Sequence, residues 1–501
     1  MSGAVQAPAA PSGLLAWLRG KDDFAVVTTL ALATVASGLF FVLQPRLGVS
    51  DGDGYAYIMG ARNLRAGLGY RGLMGDPFNH WPPGYSILLS LFSDQLVGAW
   101  IINGLFYGAA VGLLYLLTRR AGWTWQAGLG LSVGMGAGFL RLVAACVHAD
   151  IMTYAAFLGA LVICLARPSR IAPAAIWAAL VPVKFIAVAF LPPAALADLV
   201  ADPKAFWRLV LRYLPAAALV ALTTGALIAY NLSTIGTWMA DSHAQPTLKD
   251  LEAGVVAFAV SIPRELLFSW YGSLGGLVPK IAFGLTLLTL AVCALAAKPM
   301  VQGRWLRIYG LGFLACCVVL LCVRSFDPSA RLSAYGVIAF MVGFQPLRWA
   351  NWTWLFYAAL SLAVAGYGLA TQNNLGANDP RYARLAAEVG AYDHSASVIA
   401  SNSFHILDLH ANLPSVPVAS WGEAAPEKEL LWVTLPNYDA IATAVTPLPA
   451  PPAGWVRVQA FDGGALYRRT PSRLTRASSA RRLDNQPARG GRVALTRRTF
   501  P

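Results

Sequence analysis

The stretch SDGDGYAYIMGARNL, Ser50–Leu64, follows directly on the first long apolar run of the chain, residues 24–43. It begins with two aspartates, Asp51 and Asp53. Four residues then recur at the spacing that lines one face of an α-helix, namely Tyr57, Ala61, Leu64 and Leu68. A carboxylate at a helix N-terminus is stabilised by the free N–H groups and the helix dipole. This explains one aspartate as a helix cap and leaves the second without a structural role.

The composition is that of a membrane protein. Of the 501 residues, 57% are hydrophobic and 12% are charged, and the mean hydropathy is +0.55; soluble chains carry about 25% charged residues. The net charge of +14 is concentrated in the segment 468–501, which holds ten arginines and one aspartate. A segment of this composition cannot bury a core. We interpret it as a disordered tail that touches anionic lipid, and we expect no nucleic-acid partner.

The apolar runs predict about eleven membrane-spanning helices, because a bilayer core needs about 20 apolar residues per helix. The runs are 24–43, 95–118, 125–143, 150–166, 171–184, 185–200, 210–230, 277–297, 305–323, 331–347 and 351–370. Basic residues lie on every second connection, as in cytoplasmic loops: Arg119, Arg120, Arg167, Arg170, Lys204, Arg208, Arg212, Lys298, Arg304, Arg307 and Arg348. The N-terminal residues 1–23 are therefore predicted to be cytoplasmic. The short runs 171–184 and 185–200 are two spans, a re-entrant pair or one kinked span.

Three longer segments are predicted on the outer face. The first is 44–94, and the second is 231–276, whose apolar residues have the spacing of an amphipathic helix lying along the interface. The third, 371–467, holds a predicted helix over Arg381–Tyr392 and short apolar strands in SVIASN and LLWVTL, and the stretches GWVRVQA and GALYRR close it. The predicted fold class is a polytopic α-helical membrane protein with a small C-terminal α/β extracytoplasmic domain.

The first outer segment carries a recognisable motif. The pattern Asp53-x3-Tyr57-x3-Ala61-Arg62-Asn63-Leu64-x2-Gly67-x-Gly69-Tyr70, followed by His80-Trp81-Pro82-Pro83-Gly84-Tyr85, resembles the GT-C glycosyltransferases. These include protein mannosyltransferases, aminoarabinose transferases and galacturonosyl transferases that use polyprenyl-phosphate sugars. The resemblance implies that Asp53 is catalytic. Many members have an Asp-Glu pair, whereas this chain has Gly54 and an additional Asp51, which leaves open whether Asp51 is a second acid or a metal ligand.

Later positions fit the same family outline over residues 24–370. They are Asp150, Lys184 with Phe185, Asn231 with Gly236, and Asp327 with Arg331. The resemblance implies donor-phosphate binding by Lys184, Arg331 and His80. It implies substrate binding by Tyr57, Asp150, Asn231 and Tyr85. A divalent metal ion, Mg²⁺ or Mn²⁺, is the expected cofactor if Asp51 and His80 are ligands.

The chemistry of sugar transfer explains these residue types. The acceptor hydroxyl must lose a proton as it attacks the anomeric carbon, so a carboxylate acts as base. The departing lipid phosphate develops negative charge and needs cations beside it. Each residue also has a purely structural interpretation: a helix cap for Asp53 and Asp51, an exposed loop histidine for His80, a partner of Arg141 for Asp150, an interfacial lysine for Lys184, a partner of Asp327 for Arg331, and interfacial anchors for Trp81 and Tyr85.

The sequence thus predicts an enzyme of the inner membrane of a bacterium. It transfers a sugar from a polyprenyl-phosphate donor to a cell-envelope acceptor (a lipid, glycan or protein) at the periplasmic face, with inversion of the anomeric centre. Two alternatives remain. A transporter or flippase predicts charged, broken helices in symmetric halves. A non-catalytic assembly factor predicts that the change Asp53→Asn leaves function intact.

Overall fold

A computed structural model describes residues 52–72, 81–166, 169–236, 255–256, 277–301, 303–323 and 330–371, together with the strand residues 398–401, 415–417, 430–434, 455–461 and 464–469. The chain divides into two compact units between residues 378 and 379. The run 24–43, the predicted helix Arg381–Tyr392, most of segment 231–276 and most of the predicted tail 468–501 lie outside the described residues. Arg468 and Arg469 belong to a β-strand, so the prediction of disorder is wrong for these two residues.

The first unit is helical. Its helices are α1 Gly52–Arg65, α2 Gly84–Ser90, α3 Gln95–Arg120, α4 Trp125–Met135, α5 Arg141–Ala145, α6 Asp150–Ala166, α7 Ile171–Leu180, α8 Leu191–Ala201, α9 Phe206–Ile235, α10 Leu277–Leu295, α11 Arg304–Val323, α12 Ala330–Val342 and α13 Asn351–Thr371. A π-helical turn covers Gly136–Leu140 and a 3₁₀ helix covers Phe185–Phe190. Two short strands, β1 Ala297–Pro299 and β2 Phe344–Pro346, pair antiparallel.

The predicted spans from residue 95 onward coincide with these helices. By length and apolarity alone, two helices among the described residues qualify as bilayer spans: α3, and the helical stretch Pro203–Thr234 that includes most of α9. The apolar window of α3 is 72% buried, whereas that of Pro203–Thr234 is 22% buried. Helix α9 therefore presents most of its surface outward. Because α9 extends to Ile235, residues 231–235 belong to a helix and not to the predicted outer segment.

The run 171–200 forms two helices that fold back on each other. Arg170, directly before α7, donates hydrogen bonds of 2.9 and 2.7 Å to the carboxylate of Asp198, near the end of α8. These two residues would lie at opposite ends of a single kinked span. The contact therefore excludes that alternative and requires a reversal of the chain at residues 181–184.

The predicted span 125–143 is bent. Helices α4 and α5 are separated by the π-helical turn, in which Gly138 has non-helical dihedral angles (φ −91°, ψ −106°). A kink of this kind leaves backbone carbonyls without helical partners. The hydroxyl of Tyr107 in α3 donates to the carbonyl of Gly136 at 2.8 Å, which stabilises the bend.

An aromatic core joins α6, the 3₁₀ helix, α11 and α12. Tyr154 stacks on Tyr335 with ring centroids 4.1 Å apart, and Phe157 lies 4.9 Å from Phe190. All four side chains are fully buried. Aromatic packing of this extent fixes the positions of these four helices relative to one another.

The connections predicted to be cytoplasmic lie together at one end of the helical unit. Gln345 in β2 donates to the carbonyl of Gly122 at 3.1 Å, and Trp123 donates to that of Val342 at 3.1 Å. Trp305, at the start of α11, donates to Asp198 at 2.7 Å. We call the end formed by the connections after α3, before α7, after α8 and around β1 and β2 the basic end.

The described part of the second unit is a five-stranded sheet. Its strands are β3 Val398–Ser401, β4 Ser415–Pro417, β5 Leu430–Thr434, β6 Trp455–Phe461 and β7 Gly464–Arg469. The order is β4-β3-β5-β7-β6; β3 pairs parallel with β4 and β5, while β7 pairs antiparallel with β5 and β6. The two predicted strands coincide with β3 and β5, and the two stretches that close the segment form β6 and β7. The sequence did not predict β4, whose three residues are too few to show an alternating pattern.

Candidate active site

Asp53 lies in the first turn of α1 and is half-buried. Because the helix begins at Gly52, Asp53 lies inside the turn and not at the capping position before it. The predicted helix is confirmed, with Tyr57 and Ala61 on its buried face. Leu68 was predicted on that face but lies beyond the end of the helix and is 59% exposed. Asp51 is outside the described residues.

Tyr57 lies one turn after Asp53 and is buried among aromatic rings. Its ring contacts Tyr85 edge-on at 5.1 Å and lies 6.4 Å from Trp81. Burial raises the pKa of Tyr57 well above its ordinary value, and the carboxylates of Asp150 and Asp53 raise it further. The phenol is therefore a neutral hydrogen-bond donor near two carboxylates.

Asp150 and Lys184, predicted from separate parts of the sequence, form a buried ion pair. Lys184 Nζ donates to Asp150 Oδ1, and His148 Nδ1 lies 3.5 Å from Asp150 Oδ2. The side chain of Asp150 is 1% exposed and that of Lys184 is 13% exposed. Arg141, the alternative partner for Asp150, donates its Nε–H to the carbonyl of Ala137 at 3.3 Å. Lys184 is thus held by a carboxylate and does not extend to the interface.

A close backbone contact positions Lys184. The N–H of Gly84, at the start of α2, donates to the carbonyl of Pro182 at 2.6 Å. A Cβ at Gly84 would lie 2.5 Å from that oxygen, so any side chain there would push α2 away from the reversal at 181–184. The HWPPGY motif therefore has a structural meaning in this chain: its glycine docks against the turn that carries the lysine.

A second set of hydrogen bonds reaches the segment before Asp150. Tyr85 is fully buried, and its hydroxyl donates to Asn103 Oδ1 at 2.8 Å. Asn103 Nδ2 donates in turn to the carbonyls of Ala144 and Cys146 at 3.1 and 2.7 Å. This burial excludes an interfacial anchor as the role of Tyr85. Its ring faces Tyr57 and its hydroxyl fixes the backbone that leads to His148.

The loop after α1 is tied to α2 and α9. Tyr70 donates to the carbonyl of Trp81 at 3.1 Å, and Asn63 donates to the carbonyl of Arg71 at 2.6 Å. Burial raises the pKa of Tyr70, and the neighbouring Tyr230 in α9 adds to the rise. Asn231, the next residue, is buried. The last turns of α9 thus lie beside the loop that follows α1. We call the region of α1, α2, Asp150 and Lys184 the site end.

Comparison with solved structures gives the fold. The structure of ArnT from Cupriavidus metallidurans bound to undecaprenyl phosphate aligns over 90% of this chain and 98% of its own, with a TM-score of 0.53 and 13% identity. The apo structure of ArnT from the same organism aligns over 90% and 100%, with a TM-score of 0.42 and 14% identity. No protein-family model and no curated protein sequence matches the chain.

The chain has the ArnT fold. The resemblance to the GT-C glycosyltransferases, inferred from the residues of the first outer segment, is thereby confirmed at the level of the fold. At 13% identity the likeness concerns the path of the chain and not the identity of individual side chains.

Within this ArnT fold, the predicted site residues fall into two groups. Asp53, Tyr57, Tyr85, Asp150 and Lys184 are described, and contacts or charge interactions link them at the site end. Asn231 is adjacent through Tyr230. Arg331 lies in the first turn of α12, but its side chain is outside the described residues, as are Asp51 and His80. Of the three residues predicted to bind the donor phosphate, Lys184 is the one whose side chain the structure describes.

Two residues of the site end were missed by sequence reasoning. His148 stands two positions before Asp150, and its proximity to the carboxylate depends on the turn before α6. Asn103 is a polar residue within the apolar run 95–118. Polar groups inside membrane spans are costly and usually functional or paired, so Asn103 carried a signal that sequence reasoning did not use.

No metal centre is defined within the ranges that the structure describes: no three His, Cys, Asp or Glu side chains come together there. The two predicted ligands, Asp51 and His80, lie outside those ranges.

Proposed function

We propose that the chain is a glycosyltransferase that moves a sugar from a polyprenyl-phosphate donor to a hydroxyl of a cell-envelope lipid, glycan or protein. The observation that carries the proposal is the meeting of Asp53, Tyr57, Asp150 and Lys184 at one end of an ArnT fold. The ArnT structure is bound to undecaprenyl phosphate. This chain places a lysine beside carboxylates in the same fold, as a phosphate donor and a base-activated acceptor require.

Asp53 is the base in this mechanism. Its carboxylate takes the proton of the acceptor hydroxyl as the oxygen attacks the anomeric carbon, and the bond between that carbon and the phosphate oxygen breaks. Polyprenyl phosphate leaves with the bonding electrons. The attack comes from the face opposite the leaving group, so the anomeric centre inverts. The neutral Tyr57 hydroxyl, which interacts electrostatically with the carboxylates of Asp150 and Asp53, is proposed to donate to a sugar or phosphate oxygen.

Lys184 balances the charge of the leaving phosphate. A lysine ammonium has three donors and acts as a point charge, so it can bind Asp150 and a phosphate oxygen together. Arg331, at the start of α12, is the second proposed cation. Asp150 is occupied by Lys184 and holds that cation in place, which leaves Asp53 as the base.

We propose that the site end faces the periplasm in the inner membrane of a bacterium. The support is the clustering of the basic connections at the opposite end, since cytoplasmic connections are rich in Lys and Arg. Residues 1–23 are then cytoplasmic, and the unit that contains β3–β7 is periplasmic. Cysteine-accessibility labelling from the periplasm at residues 51–53 tests this orientation, and labelling only from the cytosol would overturn it.

The activity is tested with the purified full chain, a panel of polyprenyl-phosphate sugars and cell-envelope extracts, following release of the lipid phosphate. Asp53→Asn should lower turnover by about 1,000-fold, within the range that a general base contributes. Asp94→Asn is the matched control. Asp94 lies in the same outer segment but caps α3 through hydrogen bonds of 2.9 and 3.1 Å to Leu96 and Val97, and an amide oxygen can replace them. Normal turnover by Asp53→Asn would remove Asp53 from the base role.

A further inference from the structure

A cavity of about 180 Å³ opens at the basic end, between the end of α8 and the start of α9. Its charged lining comes from Asp198, Asp202, Arg208 and Arg212. The cavity lies at the opposite end of α8 and α9 from Lys184 and Tyr230, so it has no part in the proposed sugar transfer.

The carboxylates of this cavity leave its arginines available. Asp198 is held by Arg170 through two hydrogen bonds, and Tyr213 and Trp305 donate to the same carboxylate. Asp202 Oδ2 lies 3.8 Å from Arg208 Nη2, and both side chains are mostly exposed. An exposed pair at this distance is weak. Arg212 shows no ion pair within the part of the chain that the structure describes.

The two arginines adjoin an outward-facing apolar surface. Lys204, Arg208 and Arg212 follow at four-residue steps, which places them on one face of the helical stretch that begins at Pro203. Trp207 and Leu211, each one position earlier and so about 100° round the helix, are 74% and 68% exposed. A free anion from solution would need only the basic side chains in order to bind. A lipid also needs an apolar path for its chains, and an exposed tryptophan is typical of headgroup depth.

We propose that this cavity binds the phosphate headgroup of an anionic phospholipid. Arg208 and Arg212 contact the phosphate, and the acyl chains lie along the exposed face of α9 that contains Trp207 and Leu211. In the proposed orientation the lipid belongs to the cytoplasmic leaflet, whose negative surface potential attracts basic segments. The site would tie the end of α8 and the start of α9 to that leaflet.

Native mass spectrometry of the full chain in detergent tests the proposal by titration with phosphatidylglycerol, phosphatidylcholine and inorganic phosphate. Phosphatidylglycerol should bind more tightly than phosphatidylcholine, and inorganic phosphate should not displace it. The double change Arg208→Ala with Arg212→Ala should weaken phosphatidylglycerol binding by about 30-fold, the factor expected for two basic residues near an anionic surface. The double change Lys298→Ala with Arg348→Ala is the matched control, because it removes two exposed cations from the same end.

The control variant should bind phosphatidylglycerol as the unaltered chain does. An equal loss in both double variants would show diffuse electrostatic attraction and overturn the site. Equal binding of the two lipids, or displacement by inorganic phosphate, would also overturn it. Asp202→Asn provides a test in the opposite direction that does not depend on the folding of the double variant. It removes a negative charge from the cavity lining and should tighten binding of the anionic headgroup, and unchanged or weaker binding contradicts the proposal.

Discussion

Two buried carboxylate–cation pairs lie at opposite ends of the helical unit within its described residues, and they differ in their donors. At the basic end, Asp198 receives four hydrogen bonds of 2.7–2.9 Å from three side chains, and Arg170 provides two of them. At the site end, Asp150 pairs with Lys184, and His148 is nearby at 3.5 Å. The hydrogen-bonding capacity of the Asp198 carboxylate is therefore taken up by rigid donors. The Asp150 carboxylate holds a cation on a flexible stem.

This difference predicts different roles. A planar guanidinium bound through two parallel hydrogen bonds gives a fixed geometry, and the Arg170 guanidinium also lies 5.3 Å from the ring of Trp305. This arrangement links α7, α8, α9 and α11 at one end. A lysine ammonium is a point charge that adapts to a second anion. We therefore expect the Asp198 pair to support the fold and the Asp150 pair to support the reaction.

The largest effect is expected when the carboxylate of either buried pair is changed to an amide. Asp198→Asn leaves the buried guanidinium of Arg170 without its counter-charge, which should lower the free energy of unfolding by about 3–5 kcal/mol. Turnover per folded molecule should stay near that of the unaltered chain. Thermal unfolding in detergent, with lipid-phosphate release by the fraction that remains folded, measures both quantities. Asp150→Asn is the comparison: it should reduce turnover more than stability. If both variants lose stability and turnover to the same extent, the distinction between the ends is wrong.

Sequence reasoning selected several residues that meet at the site end, but it did not predict how they pair. Asp53, Asp150 and Lys184 were each selected, because the motif in the first outer segment and the order of later matches implied them. Their pairing was not predictable, since Asp150 and Lys184 are 34 positions apart and meet only because the chain reverses after α7. The pairing of Arg170 with Asp198 depends on the same reversal and was not predictable, although the sequence shows an aspartate inside the apolar run 185–200.

The segment boundaries show a second limit of sequence reasoning. Residues 231–235, predicted to begin the second outer segment, belong instead to α9, and Asn231 is buried in its last turns. Most of the described apolar helices were predictable, because long apolar runs separated by basic connections favour helices of this length. The kink between α4 and α5 was not, since it depends on Tyr107 of α3 satisfying a carbonyl in another helix.

An intermediate effect is expected when the cation of either buried pair is replaced by a neutral side chain. Lys184→Gln should lower donor turnover by about 100-fold, the lower range for removal of one group that stabilises transition-state charge. Lys184→Arg should restore part of that loss, because the charge returns in a different shape. Arg170→Gln is the matched change at the other end and should destabilise the protein with turnover per folded molecule retained. Full activity in Lys184→Gln would exclude the lysine from phosphate binding.

The tyrosines provide the smallest and most discriminating comparison. Tyr85→Phe and Tyr213→Phe each remove one hydroxyl whose hydrogen bond measures 2.8 Å, the first to Asn103 and the second to Asp198. A single buried hydrogen bond contributes about 0.5–1.5 kcal/mol, so both variants should fold. Tyr213→Phe should lose that amount of stability alone. Tyr85→Phe frees Asn103, which holds the backbone before His148 and Asp150, so turnover should fall by about tenfold if the full 1.5 kcal/mol is lost from transition-state stabilisation.

The two measurements are the denaturation midpoint and the rate of lipid-phosphate release, taken on the same preparations. Equal stability losses with unchanged turnover in both variants would mean that the path from Tyr85 through Asn103 serves packing only, and that Asp150 and Lys184 keep their geometry without it.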